Sequence, residues 1–275
     1  MPLPTFLIIG VPRAGTTSLA AYLAAHPDVY MADGKELHFF NGRYHLGLDW
    51  YSEHFQGKPA AVQRGEATPG YLFKPKAVEL MARTLPAAKL VVVLRDPVDR
   101  AYSHYWLNQW RGIEPLTFEG ALDAENSRLA RRPDDPRPAY FGMGSYADQM
   151  RRLLSHYPPE QVHSIFFEDL KVRPNDVVLD LCRFLDIRAQ VPSTTGDRHN
   201  HHGPVRSVRL ATYARQLPGP VCRTVRRLNT RDAEYPAMKH ETRATLSTRF
   251  AAVNRGLPDL IGKQPDWTGP QAIDE

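Results

Sequence analysis

The chain has only two cysteines, Cys182 and Cys222, in 275 residues. That scarcity excludes a disulfide scaffold and any four-cysteine zinc module. Cys182 lies in LDLCRFL, on an apolar face of helical spacing, and is expected to be buried, as free thiols commonly are. Long apolar runs are also missing. Hydrophobic residues make up 42% of the chain and charged residues 24%, and no stretch reaches the length of a membrane span. The expectation is a folded chain without integral membrane association. The first ten residues, MPLPTFLIIG, carry no basic leader with a small-residue cleavage site, so no signal peptide and a cytoplasmic location are expected. Acidic residues are absent from one long stretch. Between Arg198 and Arg231 there is no Asp or Glu, whereas Arg206, Arg209, Arg215, Arg223, Arg226, Arg227 and Arg231 all stand there. With a net charge of +5 the chain should attract anions. The basic stretch by itself leaves open a solvated face, a phosphate-bearing cofactor, nucleic acid or an anionic surface.

What is present is an alternation of β-rich runs with segments of helical period, the pattern of a parallel sheet covered by helices. Strands are expected at Phe6–Gly10, Val62–Glu66, residues 89–96 (KLVVVLRD) and residues 161–169 (QVHSIFFED). The unbroken apolar centre of KLVVVLRD suits a strand buried on both faces. Helical spacing predicts Ser18–His26, Pro75–Leu85, Val98–Trp110, Tyr146–Tyr157, Asn175–Leu185, Arg209–Gln216 and His240–Asn254. The charged, proline-bearing RLARRPDDPRP (128–138) cannot make a helix or a central strand, and 128–144 is expected to be an exposed loop. No repeat and no clear linker interrupt the chain, so one α/β domain over 1–275 is expected.

Two motifs carry chemistry. GVPRAGTT (10–17) lies between the first strand and the first helix. A glycine-bearing turn at a helix N-terminus aims several N–H groups and the helix dipole at one spot, which makes an anion site. A nucleotide-triphosphate loop needs Gly-Lys-Ser/Thr, and here Thr16 comes after Gly15 while the base stands earlier, as Arg13. The loop is therefore P-loop-like without the usual lysine. A bare strand-to-helix turn would explain its glycines equally simply. RDPVDRAYSHY (95–105) comes directly after the most apolar strand. Ligands in open α/β sheets sit beyond the carboxyl ends of strands, so Arg95 should emerge beside the first loop, and with Ser103 it could grip a second phosphate. The plainer reading has Arg95 capping a helix or pairing with Asp96 or Asp99.

Taken with KELHFF (35–40), GLDWYSEHF (47–55), GEATPGYLF (65–73), residues 144–170 and PDWT (265–268), these motifs resemble sulfotransferases that use 3′-phosphoadenosine 5′-phosphosulfate (PAPS). The pattern is most similar to heparan sulfate 3-O-sulfotransferase domains. The resemblance implies a P-loop-like parallel sheet and transfer of a sulfuryl group from PAPS to a hydroxyl of a small metabolite, glycolipid or saccharide, leaving PAP. It implies that Arg13, Ala14, Gly15, Thr16, Thr17 and Ser18 hold the 5′-phosphosulfate, and Arg95 and Ser103 the 3′-phosphate. Glu36 would be the general base, with His38 beside it and Arg13 facing the leaving phosphate. Arg206 and Ser207, within a loop at 192–208 that closes on the cofactor, would add phosphate contacts. No metal is expected, and His199, His201 and His202 read as polar filler.

The chain also departs from the pattern. Arg13 stands where relatives commonly carry Lys, and a guanidinium does not readily give up a proton. Ala67 replaces a Lys of the heparan-acting members, and the two cysteines do not reproduce their disulfide loop. Both differences argue against a heparan-like polyanion as acceptor. Two other classes remain open on sequence alone: a P-loop kinase-like phosphotransferase, and a non-enzymatic nucleic-acid-binding protein. The latter rests on charge only, for no RNA-binding aromatic motif or helix-turn-helix signature accompanies it, and nucleic acid is not the expected partner.

Overall fold

The computed structural model describes residues 1–267 apart from Lys35, Asp134, Thr194 and residues 196–202. The first half runs β1 (Phe6–Gly10), α1 (Thr16–Ala24), β2 (Val29–Met31), α2 (Gly47–Glu53), β3 (Gln63–Ala67), α3 (Pro75–Thr84), β4 (Lys89–Leu94) and α4 (Pro97–Trp110). Next come α5 (Phe118–Arg131), α6 (Tyr146–Leu154), β5 (Val162–Phe166), α7 (Phe167–Val172) and α8 (Pro174–Phe184). The chain continues through α9 (Val208–Ala214), α10 (Gly219–Asn229), α11 (His240–Val253) and α12 (Leu257–Ile261). Its described residues pack into two compact units, one of 1–95, 146–195 and 256–265, the other of 96–145, 203–255 and 266–267. Among the described residues no helix is long and apolar enough to cross a membrane.

The first unit holds the whole sheet, five strands in the order β2-β3-β1-β4-β5, every pairing parallel. This is the α/β fold expected from the sequence. Its central strands explain themselves: FLIIG is buried along its full length and KLVVVL at every residue but Lys89, as a strand covered on both faces requires. The strand VYM is not among the expected ones, because three residues are too short to show a period. Cys182 is buried as expected.

The second unit is helical and buries several charges. Its apolar centre joins Val98, Ala101 and Tyr105 of α4 to Phe118 and Ala121 of α5 and to Leu246 and Phe250 of α11. Here the expectation of an exposed loop over 128–144 is corrected at its two ends, while residues 130–133 are exposed. Helix α5 continues to Arg131, held there by Arg128, whose guanidinium grips the buried Glu114 carboxylate, and the helix stops only before Pro133. Ala139, Tyr140, Met143 and Gly144 are buried. The reason is polar satisfaction: Glu125 accepts the amides of Phe141 (2.7 Å) and Gly142 (2.8 Å), and the fully buried Arg100 donates to the Tyr140 carbonyl.

In the first unit, β3 approaches β1 closely at one register pair, Phe6 opposite Gly65. A Cβ built on Gly65 would lie 2.1 Å from the Phe6 ring, which is itself fully buried. Gly65→Ala is therefore expected to cost about 1 to 3 kcal/mol through overpacking. The reading is a lower urea midpoint at unchanged slope; an unmoved midpoint would mean that the ring can turn aside.

Candidate functional site

The strand order makes a crevice predictable. From β1 the chain crosses to β2 on one side, and from β3 it crosses to β4 on the other, so the switch point lies between β1 and β4. All strands are parallel, so the segments after β1, β3, β4 and β5 emerge at one shared carboxyl end. After β1 the Val11 amide donates to the Val93 carbonyl of β4 (2.7 Å), which anchors the GVPRAGTT turn at that switch point. Arg13 and Gly15 both take left-handed backbone, φ 75° and 80°. This turns successive amides to one side, as in the concavities that bind anions. Gly15 ends the turn at the start of α1, and no side chain caps that helix. The start of a helix is where backbone N–H groups lack partners within the helix, the setting in which anions bind. Thr16 is buried there, with Thr17 and Ser18 half-buried beside it.

Arg95, directly after β4, meets this loop as expected. Its Nη1 donates to the Arg13 carbonyl (2.9 Å), its guanidinium stacks 4.7 Å above the Phe167 ring, and Tyr146 donates its hydroxyl to the Arg95 carbonyl (2.9 Å). The guanidinium spends one of its N–H groups on the loop and keeps the charge beside it. Helix α4 is capped without Arg95: the Asp96 carboxylate accepts the Val98 and Asp99 amides, and Asp99 pairs with Arg243 at 2.6 Å.

Glu36 and His38 come together in the same unit. His38 Nε2 lies 3.4 Å from Glu36 Oε2, with the two side chains 45% and 35% exposed. Nδ1 of His38 lies 3.0 Å from Asn41 Oδ1. The Glu36 hydrogen bond holds the His38 pKa above its ordinary 6.5, against partial burial. Both residues have φ 53°, unusual for side chains with a Cβ. The segment is tied to the strand ends because the His38 amide donates to Thr68 Oγ1 (3.3 Å) and the Thr68 amide donates to the Ile8 carbonyl (3.0 Å).

One residue of this region does not stand out in the sequence. Glu66, 1% exposed in β3, accepts hydrogen bonds from the hydroxyls of Thr68 and Tyr71, 2.6 Å each, and of Tyr51. Burial raises its pKa, and the three hydroxyls pull it back. The signal that could have found it is a carboxylate alternating into a covered strand, in GEATPGY, with a tyrosine five residues on. Tyr71 is core, with its hydroxyl on Glu66.

The remaining expected site residues belong to the second unit. Ser103 is buried in α4. Arg206 is exposed, and Ser207 Oγ accepts from the Leu210 amide (3.2 Å) as the cap of α9. Thr194 and residues 196–202 of the expected closing loop, with His199, His201 and His202, lie outside the described residues.

With the geometry in hand, the profile of the sulfotransferase domain matches residues 3–207. The chain belongs to the sulfotransferase domain family. It is 28% identical over 297 residues to a bifunctional heparan sulfate N-deacetylase/N-sulfotransferase of Drosophila melanogaster, covering 98% of this chain and 27% of that protein. It is 28% identical to heparan sulfate glucosamine 3-O-sulfotransferase 3A1 of Mus musculus, covering 97% of this chain and 65% of the other. The chain thus spans about a quarter to two thirds of the length of these relatives. A solved sulfotransferase from Alicyclobacillus acidocaldarius superposes with a TM-score of 0.77 at 29% identity, over 96% of this chain and 98% of that one. The family expectation drawn from the motifs is met: this is an enzyme domain of the PAPS-dependent sulfotransferase type.

The raised His38 value gives a test of the pair. Because Glu36 favours the imidazolium, its stabilising contact is fully present below pH 6.5 and is lost as pH rises through the raised folded value. Glu36→Gln is expected to bring the His38 midpoint down toward 6.5, followed by NMR titration. An unmoved midpoint would remove Glu36 as the cause.

Proposed function

We propose that this sulfotransferase domain moves a sulfuryl group from PAPS to a hydroxyl of a saccharide or saccharide-bearing small molecule, with Glu36 as general base. The observation that carries the reading is the meeting, at one end of one sheet, of an amide-lined anion loop and a carboxylate–imidazole pair. The left-handed turn at Arg13 and Gly15, the uncapped start of α1 and the cationic Arg13 and Arg95 fit a phosphate-bearing donor. The lysine of ATP-binding loops is missing after Gly15, which speaks against the phosphotransferase reading.

When bound, PAPS supplies an electrophilic sulfur and a phosphate leaving group, so the acceptor oxygen bonds to sulfur as the sulfur–phosphate bond breaks. The chain's residues do the rest. The loop amides and Arg13 hold the phosphosulfate and face the charge that grows on the leaving oxygen. Arg13 acts by charge alone, since a guanidinium keeps its proton. The Glu36 carboxylate takes the acceptor's proton, and His38, turned toward it and kept charged to higher pH, orients it. Arg95, braced against Arg13 and Phe167, offers its remaining N–H groups to a second phosphate. A saccharide acceptor is supported by the heparan sulfate relatives, whereas Ala67 in place of a basic residue disfavours a long polyanion.

Calorimetry should detect PAP binding that magnesium does not alter; binding of magnesium-ATP without PAP would overturn the reading. With labelled PAPS and a panel of hydroxylated saccharides, Glu36→Gln should lower turnover by about 10² to 10⁴ while PAP affinity is kept. Near-normal turnover in Glu36→Gln with collapse in His38→Ala would pass the base role to His38.

Arg95→Ala should weaken PAP binding by about 1.5 to 3 kcal/mol, the worth of a charged hydrogen bond. An analogue lacking the 3′-phosphate should bind the parent and the variant alike. If the variant keeps the parent's preference for PAP over the analogue, another residue anchors that phosphate.

A further inference from the structure

Glu66 hydrogen-bonds to Tyr51, Thr68 and Tyr71 and acts on His38 only through its charge, yet two hydrogen-bond relays lead from it to the Glu36–His38 segment. In one, the His38 amide donates to Thr68 Oγ1 (3.3 Å), whose hydroxyl donates to Glu66 Oε1 (2.6 Å). In the other, the Phe40 amide donates to the Tyr71 hydroxyl (3.4 Å), which donates to the same oxygen (2.6 Å). Tyr51 donates to Oε2, and its ring stacks on Phe39 at 4.1 Å with an interplanar angle of 5°. Each of residues 38, 39 and 40 is thus held by a group whose hydroxyl is oriented by one carboxylate.

The segment needs such holding. Glu36 and His38 sit in left-handed backbone, and Phe39–Arg43 forms a π-turn closed by the Arg43 amide on the His38 carbonyl (3.0 Å). Backbone of this kind persists only where its surroundings over-determine it, and it gathers at functional sites. A hydroxyl that donates to a carboxylate presents its lone pairs elsewhere, so the carboxylate also fixes Thr68 and Tyr71 as acceptors for the two amides.

We propose that Glu66 is a positioning residue for sulfuryl transfer: through Thr68 and Tyr71 it fixes the backbone at His38 and Phe40, and so sets how Glu36 and His38 face the acceptor. This rests on the assignment of Glu36 and His38 to the reaction. A purely structural Glu66 would change stability and leave the site's chemistry alone, and the two roles separate experimentally.

The test uses the full chain with Glu66→Gln, Thr68→Val and Thr68→Ser. Thr68→Val keeps the shape, removes the acceptor of the His38 amide and leaves Glu66 its two tyrosine donors, so it decides the matter if Glu66→Gln does not fold. In Thr68→Val, which keeps the Glu66 charge that itself acts on His38, the His38 midpoint, followed by NMR, should fall toward 6.5 as the Glu36 contact loosens, and in both Thr68→Val and Glu66→Gln turnover should fall with it. Turnover of labelled PAPS on a hydroxylated saccharide should drop by about 10²-fold, the cost of a small misplacement of reacting groups. PAP affinity should stay at the parent value, and Thr68→Ser should behave as the parent. A folded Thr68→Val with the parent's His38 titration and turnover would overturn the inference alone. Parent turnover in both Glu36→Gln and His38→Ala would instead overturn the catalytic reading, and with it the positioning role.

Discussion

A single buried carboxylate constrains the segment that carries Glu36 and His38. Removing an ion from water costs on the order of several kcal/mol even after relaxation, and hydrogen bonds to charged groups return about 1.5 to 3 kcal/mol each. Glu66 can therefore stay inside β3 only if Tyr51, Thr68 and Tyr71 all turn their hydroxyls toward it, as they do. That requirement fixes the aromatic layer around Phe39 and Phe40 and, through the same hydroxyls, the backbone that carries Glu36 and His38.

The anion loop is organised by a different constraint, the shared direction of the strands. Because β1 and β4 are parallel neighbours at the switch point, the turn after one and the arginine after the other emerge at the same end. The same carboxyl edge brings Thr68 to the Ile8 carbonyl, and with it the His38 segment. Arg13, Arg95 and the Glu36–His38 pair are thus carried to one end of the sheet although they lie far apart in sequence.

The helical unit uses charge otherwise. Glu114 with Arg128, and Glu125 with the 141–142 amides, are satisfied without facing a ligand loop. They show why the chain folds inward after its charged, proline-bearing stretch: Glu125 supplies acceptors and Arg100 a donor for backbone at Tyr140–Gly142 that would otherwise be buried unpaired.

The apolar runs FLIIG and KLVVVL specified the central parallel strands by themselves, since only a strand covered on both faces tolerates such composition. GVPRAGTT, KELHFF and the arginine after β4 pointed to the sulfotransferase family because backbone turns and block resemblance are local properties. Tertiary structure alone decided the rest. The three residues of β2 become a strand only beside β3, and Ala139, Tyr140, Met143 and Gly144 are buried where partners distant in sequence satisfy the adjoining backbone. Glu66 reads as one more polar residue in QRGEA until folding brings Tyr51, fifteen positions earlier, onto its carboxylate. Side-chain hydroxyls reach across the chain, and no local pattern records which carboxylate they will meet.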